Sequence, residues 1–425
     1  MRATLFSILA LAVTALLVEV ARRLAPAVGL VDSPDDRKSH NGDIPLVGGI
    51  AIFGALLLVL AFAGALSEHW VFLVSAGLLV VVGVWDDALG MSPLVRLGAQ
   101  AGAVLLIATV GETFIADLGS ILPIVGTLGL GWMAVPFTVF AGVGVINAFN
   151  MSDGVDGLCG TLTLVALTGL GIAAGLAGRE SELLLILAMA GGLIGFLFFN
   201  VRLPQRKQAK AFLGDAGSYL LGLSVLYMLI RLSQGADRAI HPVTALWFCM
   251  LPLLDTVGMI LRRTRRGKSP FDPDREHIHH VFLLADFSVT VTWFGLALAA
   301  TAGMIFGLTG LITGIPEALM FATFLVVGIL YYGMMMRAWR VLRFLSRSIN
   351  RRVMAKFDRR VSGDRRQKSN VYYVDGIPKE RRSGDERRQG NGDRRHEEID
   401  VPSSLKSLEQ SQGARQPTDQ AARTT

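Results

Sequence analysis

Charged residues are scarce in this chain. They make up 18% of its 425 residues, against roughly 25% in soluble globular domains, while 52% are hydrophobic. That shortage argues against a water-soluble enzyme and makes insertion into a bilayer the first expectation. Cysteine is scarcer still. Cys159 and Cys249 both lie in apolar stretches, which excludes a disulfide framework and a thiolate metal site, and both read as small core residues. The body of the chain also lacks a basic surplus. Residues 337–425 hold 22 Lys and Arg against 12 Asp and Glu, and the remaining residues hold 19 against 22. The net charge of +7 therefore belongs to the tail.

What is present is a series of long apolar runs. A bilayer-spanning helix needs about 20 predominantly apolar residues. Eleven candidate spans meet or approach that length, at 3–22, 46–66, 70–85, 95–113, 129–146, 158–177, 182–200, 216–232, 242–261, 288–309 and 315–336. The expected fold is an all-α polytopic membrane protein of about 11 transmembrane helices. The first run follows Arg2 as a signal peptide would, but no clean cleavage site follows it and it is long enough to span. Numbering the loops by alternation puts fifteen Lys and Arg in one set, from Arg22 to Arg275, and almost none in the other. The positive-inside rule places the rich set in the cytoplasm. Eleven spans then put the N-terminus outside and the C-terminus in the cytoplasm.

The spacing divides the chain into a transmembrane domain, 1–340, and a basic tail, 341–425. The tail opens with MRAWRVLRFLSRSINRRVMAKF, a stretch suited to lying on anionic lipid. It continues with the related units SGDRRQ, SGDERRQ and NGDRRH, and its few large apolar residues predict disorder. Interleaved acids weaken a nucleic-acid reading, so no nucleic-acid partner is expected.

The unusual polar residues fall in the loops of the basic set. Asp86 and Asp87 end the third span, where adjacent carboxylates repel unless a cation or base is near; a solvated helix end is the plain alternative. Asp153 and Asp156 lie in NAFNMSDGVDGLCG, a loop without Lys or Arg, and a glycine-rich turn capped by aspartates would also explain them. Asp215 follows Gly214 at the start of a span, behind Arg206, Lys207 and Lys210. It could be a helix cap, but acid beside base at a helix start also suits a metal and a phosphate together. His277, His279 and His280 cluster beside Arg275. A lone loop histidine is usually just solvated; three together point to phosphate binding or proton transfer. All four clusters occupy one set of loops, which is the layout of an interfacial site for a charged substrate. Hard oxygen donors favour Mg²⁺, with Mn²⁺ possible, over zinc.

In these segments the chain resembles the polyprenyl-phosphate N-acetylhexosamine-1-phosphate transferases (glycosyltransferase family 4), and among them the WecA-like bacterial branch. The matching motifs are DSPDDRKSHNGDIPLVGG at 32–49, DD at 86–87, NAFNMSDGVDGL at 147–158, FLGDAGS at 212–218 and DREHIHH at 274–280. Any one is weak, but five in order, over roughly residues 1–340, are specific. The resemblance implies transfer of a sugar 1-phosphate from a UDP-sugar to undecaprenyl phosphate with release of UMP, at the cytoplasmic face of a bacterial inner membrane. It implies Asp215 as a magnesium ligand, with Asp153 beside it, and Asp86 and Asp87 on the lipid phosphate. It further implies a nucleotide pocket of Asn147, Gly154, Asp156, Asn200 and Phe212, with Phe212 stacking on uracil. His279 and His280 would serve the diphosphate or sugar side, and Lys38, His40, Arg96, Arg275 and His277 the phosphates. It admits a homodimer among membrane lipids.

The first loop reads GDIPLVGG where the peptidoglycan-precursor branch has a GTPTMGG-type sequence. That difference argues for an acetamidosugar donor over UDP-MurNAc-pentapeptide; UDP-GlcNAc is the expected donor, with UDP-FucNAc, UDP-QuiNAc or UDP-MurNAc-pentapeptide as alternatives. The rival from another class is a secondary transporter. Its ionisable residues would lie at mid-membrane in an internal repeat; here the clustered acids sit at the cytoplasmic ends of the spans, Asp255 being the exception, and no repeat is visible.

Overall fold

The computed structural model describes residues 2–33, 42–202, 206, 208–267 and 277–337, and the backbone of 371–374 and 377–380. The chain separates into two compact units, Met1–Val361 and Ser362–Thr425. The first is helical. Its helices are α1 (Arg2–Leu24), α2 (Gly48–Ala63), α3 (Trp70–Leu89), α4 (Pro93–Thr109), α5 (Ala134–Met151), α6 (Leu158–Leu176), α7 (Glu180–Asn200), α8 (Gly214–Ser233), α9 (Pro242–Phe248), α10 (Met250–Arg265), α11 (Ile278–Leu284), α12 (Val289–Thr313) and α13 (Glu317–Arg337). Two short strands, β1 (Val31–Asp32) and β2 (Ile44–Pro45), pair antiparallel.

Every apolar run found in the sequence is helical, and the fold is an all-α polytopic membrane protein. The span count is where expectation and structure differ. Among the described residues eight helices are long and apolar enough to cross a bilayer, and nine if α9 and α10 are taken as one bent span. The helices α2 and α4 have 16 and 17 residues and fall short. The run at 242–261, expected as one helix, is broken at Cys249 and bends by 83°. Pro252 accounts for the break: it has no N–H to give the carbonyl of residue 248, and its ring crowds that position.

At the centre stands α8, whose residues are nearly all buried. It packs against α3, α5, α2 and α6, and small residues let the backbones meet. A Cβ on Gly83 of α3 would lie 2.3 Å from the Ala216 backbone, and one on Gly49 of α2 2.3 Å from the Gly217 nitrogen. Lipid offers no apolar driving force between helices, so such close approach, with its dispersion contacts, is what holds the bundle. Large side chains on the outer helices, such as Phe62, Phe140 and Ile329, face outward, as lipid contact requires.

In the second unit a hairpin joins β3 (Val371–Val374) and β4 (Ile377–Glu380), with four residue pairs in antiparallel register. VYYV is a strong strand sequence. The rest of the tail, for which the sequence predicts disorder, lies outside the described residues.

Candidate active site

The end of α3, the loops after α5 and α7, the start of α8, α11 and the β1–β2 pair surround one cavity of about 780 Å³. Five aspartates line it: Asp32, Asp87, Asp153, Asp156 and Asp215. So do His277, His279 and His280, with Asn150, Gly154, Asn200, Arg202 and Phe212. Most of the residues singled out in the sequence are thus brought together. Asp86, Arg96 and Asn147 do not line the cavity. Lys38, His40 and Arg275 lie outside the described residues. A second cavity, of about 720 Å³, is lined by His241, Glu317 and mainly apolar residues; it has one ion pair and no comparable set of reactive groups.

Two neighbouring carboxylates have different tasks. Asp86 is buried and accepts from the Met91 N–H (2.8 Å), Arg96 Nη1 (3.2 Å) and the Tyr219 hydroxyl (3.2 Å). Its oxygens are committed, and it fixes Arg96, which also stands 3.9 Å from Asp215. Asp87 turns to the cavity and to α8. Its Oδ1 accepts the Asp215 N–H at 2.8 Å and its Oδ2 the Ala216 N–H at 3.4 Å. These amides are among those a helix start leaves unsatisfied, so a side chain from α3 caps α8. Asp215 is held in turn by Asn150, whose Nδ2 donates to Oδ1 at 2.7 Å and also reaches Ser218.

The amides tie the loops together. Asn200 accepts the Gly157 N–H at 2.7 Å and donates to the Ala211 carbonyl at 2.9 Å. It therefore braces the pocket wall, with both ends of its amide already engaged. The Phe212 backbone is stitched to Pro45 and Gly48, and its ring stays on the lining. Asn147, expected in the nucleotide pocket, donates to Gln100 Oε1 at 2.6 Å and faces α4 instead. Arg202, which pairs with Asp156 at 2.6 Å, and Asp32 join the cavity lining without having been expected there, and Asn150, which flanks the acids in the sequence, lines it too. Asn150 stands three residues before Asp153 in the quoted motif, and that spacing was the available signal.

Burial and neighbouring charge shape the protonation of the site. Burial, reinforced by the charges of Asp215, Asp87 and Asp156, raises the Asp153 carboxyl well above the ordinary carboxylate range. Among the described residues no three His, Cys, Asp or Glu stand ready as a metal cage, so the donor set does not suit a closed structural zinc site. It is compatible with a divalent cation that takes one or two carboxylates and completes its shell with water and substrate phosphate. Burial pushes His279 down to about 3, with His280 and His277 adding to the effect. Its imidazole is therefore neutral at working pH. Its Nε2 is buried, has no hydrogen-bond partner and lies against Gly154.

A pH prediction follows from Asp153. The folded protein holds this proton more tightly than the unfolded chain does. Its stabilising contribution is full below the unfolded value and is lost as pH rises through the raised folded value. A cation replaces the proton and competes with it. Mg²⁺ should therefore raise the melting temperature more at pH 8 than at pH 5. Equal shifts at both pH values in a thermal melt would contradict the assignment.

Comparison with known proteins places the chain in a family. Residues 69–233, from the loop before α3 to the end of α8, match the sequence profile of glycosyl transferase family 4. A protein of Yersinia pestis named undecaprenyl-phosphate alpha-N-acetylglucosaminyl 1-phosphate transferase is 40% identical over 332 residues, covering 77% of this chain and 90% of that one. This chain belongs to glycosyl transferase family 4. Proteins of the same name from Escherichia coli K12 and Haemophilus influenzae are 37% and 36% identical, over 79% and 77% of this chain and 91% and 92% of theirs. The family match ends at residue 233, so it covers the aspartates of α3, the α5–α6 loop and α8 but not the histidine cluster. The relatives' alignments run over most of the chain.

Proposed function

We propose that this protein transfers N-acetylglucosamine 1-phosphate from UDP-GlcNAc to undecaprenyl phosphate, releasing UMP, at the cytoplasmic face of a bacterial inner membrane. The observation that carries this reading is the convergence of five aspartates, three histidines and the half-buried Phe212 on one cavity at the helix ends. The names of the relatives support the acceptor and the sugar. The excess of Lys and Arg in the loops of this face supports the cytoplasmic side.

The chemistry needs two anions to meet. An oxygen of the lipid phosphate attacks the phosphorus that carries the sugar. The bond from that phosphorus to the UMP oxygen breaks, and UMP leaves with the electron pair. Holding a lipid-tethered acceptor and a soluble donor in one cavity makes the encounter effectively unimolecular. Asp215 and Asp153 would hold Mg²⁺, which would screen the phosphates and stabilise charge on the leaving group. Asp87, which faces the cavity where Asp86 does not, meets the lipid phosphate. The Phe212 ring offers a stacking surface for uracil. Neutral His279 and its neighbour His280 face the sugar and diphosphate side.

A donor panel tests the proposal. Purified protein, undecaprenyl phosphate and Mg²⁺ are incubated with UDP-GlcNAc, UDP-FucNAc, UDP-QuiNAc or UDP-MurNAc-pentapeptide, and UMP release is measured. UDP-GlcNAc should be turned over fastest. Another donor at the top would reassign the sugar, and no release from any donor would overturn the transferase reading.

A further inference from the structure

Asp255 is a carboxylate deep inside the bundle, on the lower half of the bent pair α9–α10. A buried carboxylate is tolerated only where its oxygens are satisfied, and here both are. Oδ1 accepts the Tyr331 hydroxyl of α13 at 2.7 Å and the Ile278 N–H of α11 at 3.0 Å. Oδ2 stands 2.9 Å from His277 Nδ1. His277 is itself buried and lines the cavity, and its ring lies parallel to that of His279 with centroids 5.8 Å apart. Three helices and the first histidine of the cluster thus meet on one side chain.

We infer that Asp255 is a positioning residue, which fixes the proton of His277 on Nδ1 and so turns the Nε2 edge of the ring to the nucleotide sugar. This rests on the transferase reading and assigns His277 a defined tautomer within it. The argument is one of donors and acceptors. An ionised carboxylate only accepts, so the ring nitrogen facing it carries the proton. The opposite nitrogen is then left for the cavity. The hydrogen bond made by one ring nitrogen sets what the other presents. Tyr331 belongs to the same arrangement, because it holds the Asp255 oxygen that does not meet His277.

Asp255→Asn isolates the effect. The Ile278 N–H and the Tyr331 hydroxyl keep the amide oxygen on their side, so the amide NH₂ faces His277 Nδ1. Nδ1 must then accept, and the proton moves to Nε2. The shape is unchanged, but the edge turned to the substrate has its polarity altered. A wrong tautomer at an otherwise intact site costs serine proteases about 10⁴-fold, and loss of an outer-shell partner typically costs about 10- to 100-fold.

The experiment uses the full-length protein in detergent. Histidine ring ¹⁵N correlation spectra, assigned with a His277→Gln variant, read the tautomer without turnover. UMP release from UDP-GlcNAc gives kcat and KM. The wild type should carry the proton on Nδ1 of His277. Asp255→Asn should move it to Nε2 and lower kcat/KM by about tenfold or more, with an unchanged melting temperature. Tyr331→Phe, which leaves the Asp255–His277 pair, should keep the tautomer and lose less than Asp255→Asn. A wild-type proton on Nε2, or an Asp255→Asn variant as active as wild type, would overturn the inference. So would equal losses in both variants with the His277 tautomer unmoved. Should Asp255→Asn not insert, the wild-type spectrum alone still decides. If the wild type releases no UMP from any donor, the functional reading fails, and the spectrum still reports on His277.

Discussion

Asp215→Asn should lower Mg²⁺-dependent release of UMP from UDP-GlcNAc by about a thousandfold or more, about 4 kcal/mol of transition-state stabilisation. The variant should still insert and melt close to wild type. The side chain stands at the start of α8, on the cavity lining, with Oδ1 held by Asn150 at 2.7 Å and Oδ2 3.9 Å from Arg96 Nη1. An asparagine can keep the first contact through its amide oxygen. Its NH₂ then replaces the second oxygen, so the site loses one negative charge and one hard donor. Raising Mg²⁺ should not restore the rate, because the loss is in the ligand and not in occupancy alone. Full activity in this variant would sink the assignment of Asp215 as a metal ligand.

The helical fold was legible because lipid imposes a simple rule: runs of about 20 apolar residues cross, and charges gather at their ends. The site was legible for the same reason. Asp87, Asp153, Asp156, Asp215 and the three histidines stood out as polar groups at the ends of apolar runs, and all of them line the cavity. What sequence could not supply was direction. Asp86 and Asp87 are neighbours, but successive helical residues point about 100° apart, so one faces Tyr219 and the other the cavity. Asn147 and Asn200 were both expected to meet the nucleotide. Asn147 donates to Gln100, 47 residues away, whereas Asn200 lines the cavity while its amide braces the backbone of two loops. Tyr331 joins Asp255 across 76 residues, and no local pattern predicts such a contact. The break in the 242–261 run is a different case. Pro252 is visible in the sequence, and its apolar neighbours hid its effect.

Gly214→Ala should be nearly as damaging as the loss of a catalytic carboxylate, although glycine carries no chemistry. Gly214 has φ +72°, and a Cβ there would lie 2.4 Å from Asp87 Oδ2. The left-handed backbone alone costs a non-glycine residue about 1–2 kcal/mol. Relief of the clash must push the Asp87 carboxylate off the first amides of α8, and losing a cap costs about 0.5–2 kcal/mol more. Asp87 and Asp215 are joined through that contact, so displacing one moves the other. The expected result is a destabilisation of about 1.5–4 kcal/mol, with UMP release reduced by about a hundredfold or more, as misplacement by about 1 Å can do. Gly98→Ala is the matched control. Gly98 lies within α4 with open space around its Cβ position, so alanine there should be neutral or should stabilise by up to about 1 kcal/mol. If Gly214→Ala melts and turns over like Gly98→Ala, then the junction of Asp87 with the start of α8 does not organise the site, and Asp87 and Asp215 act independently.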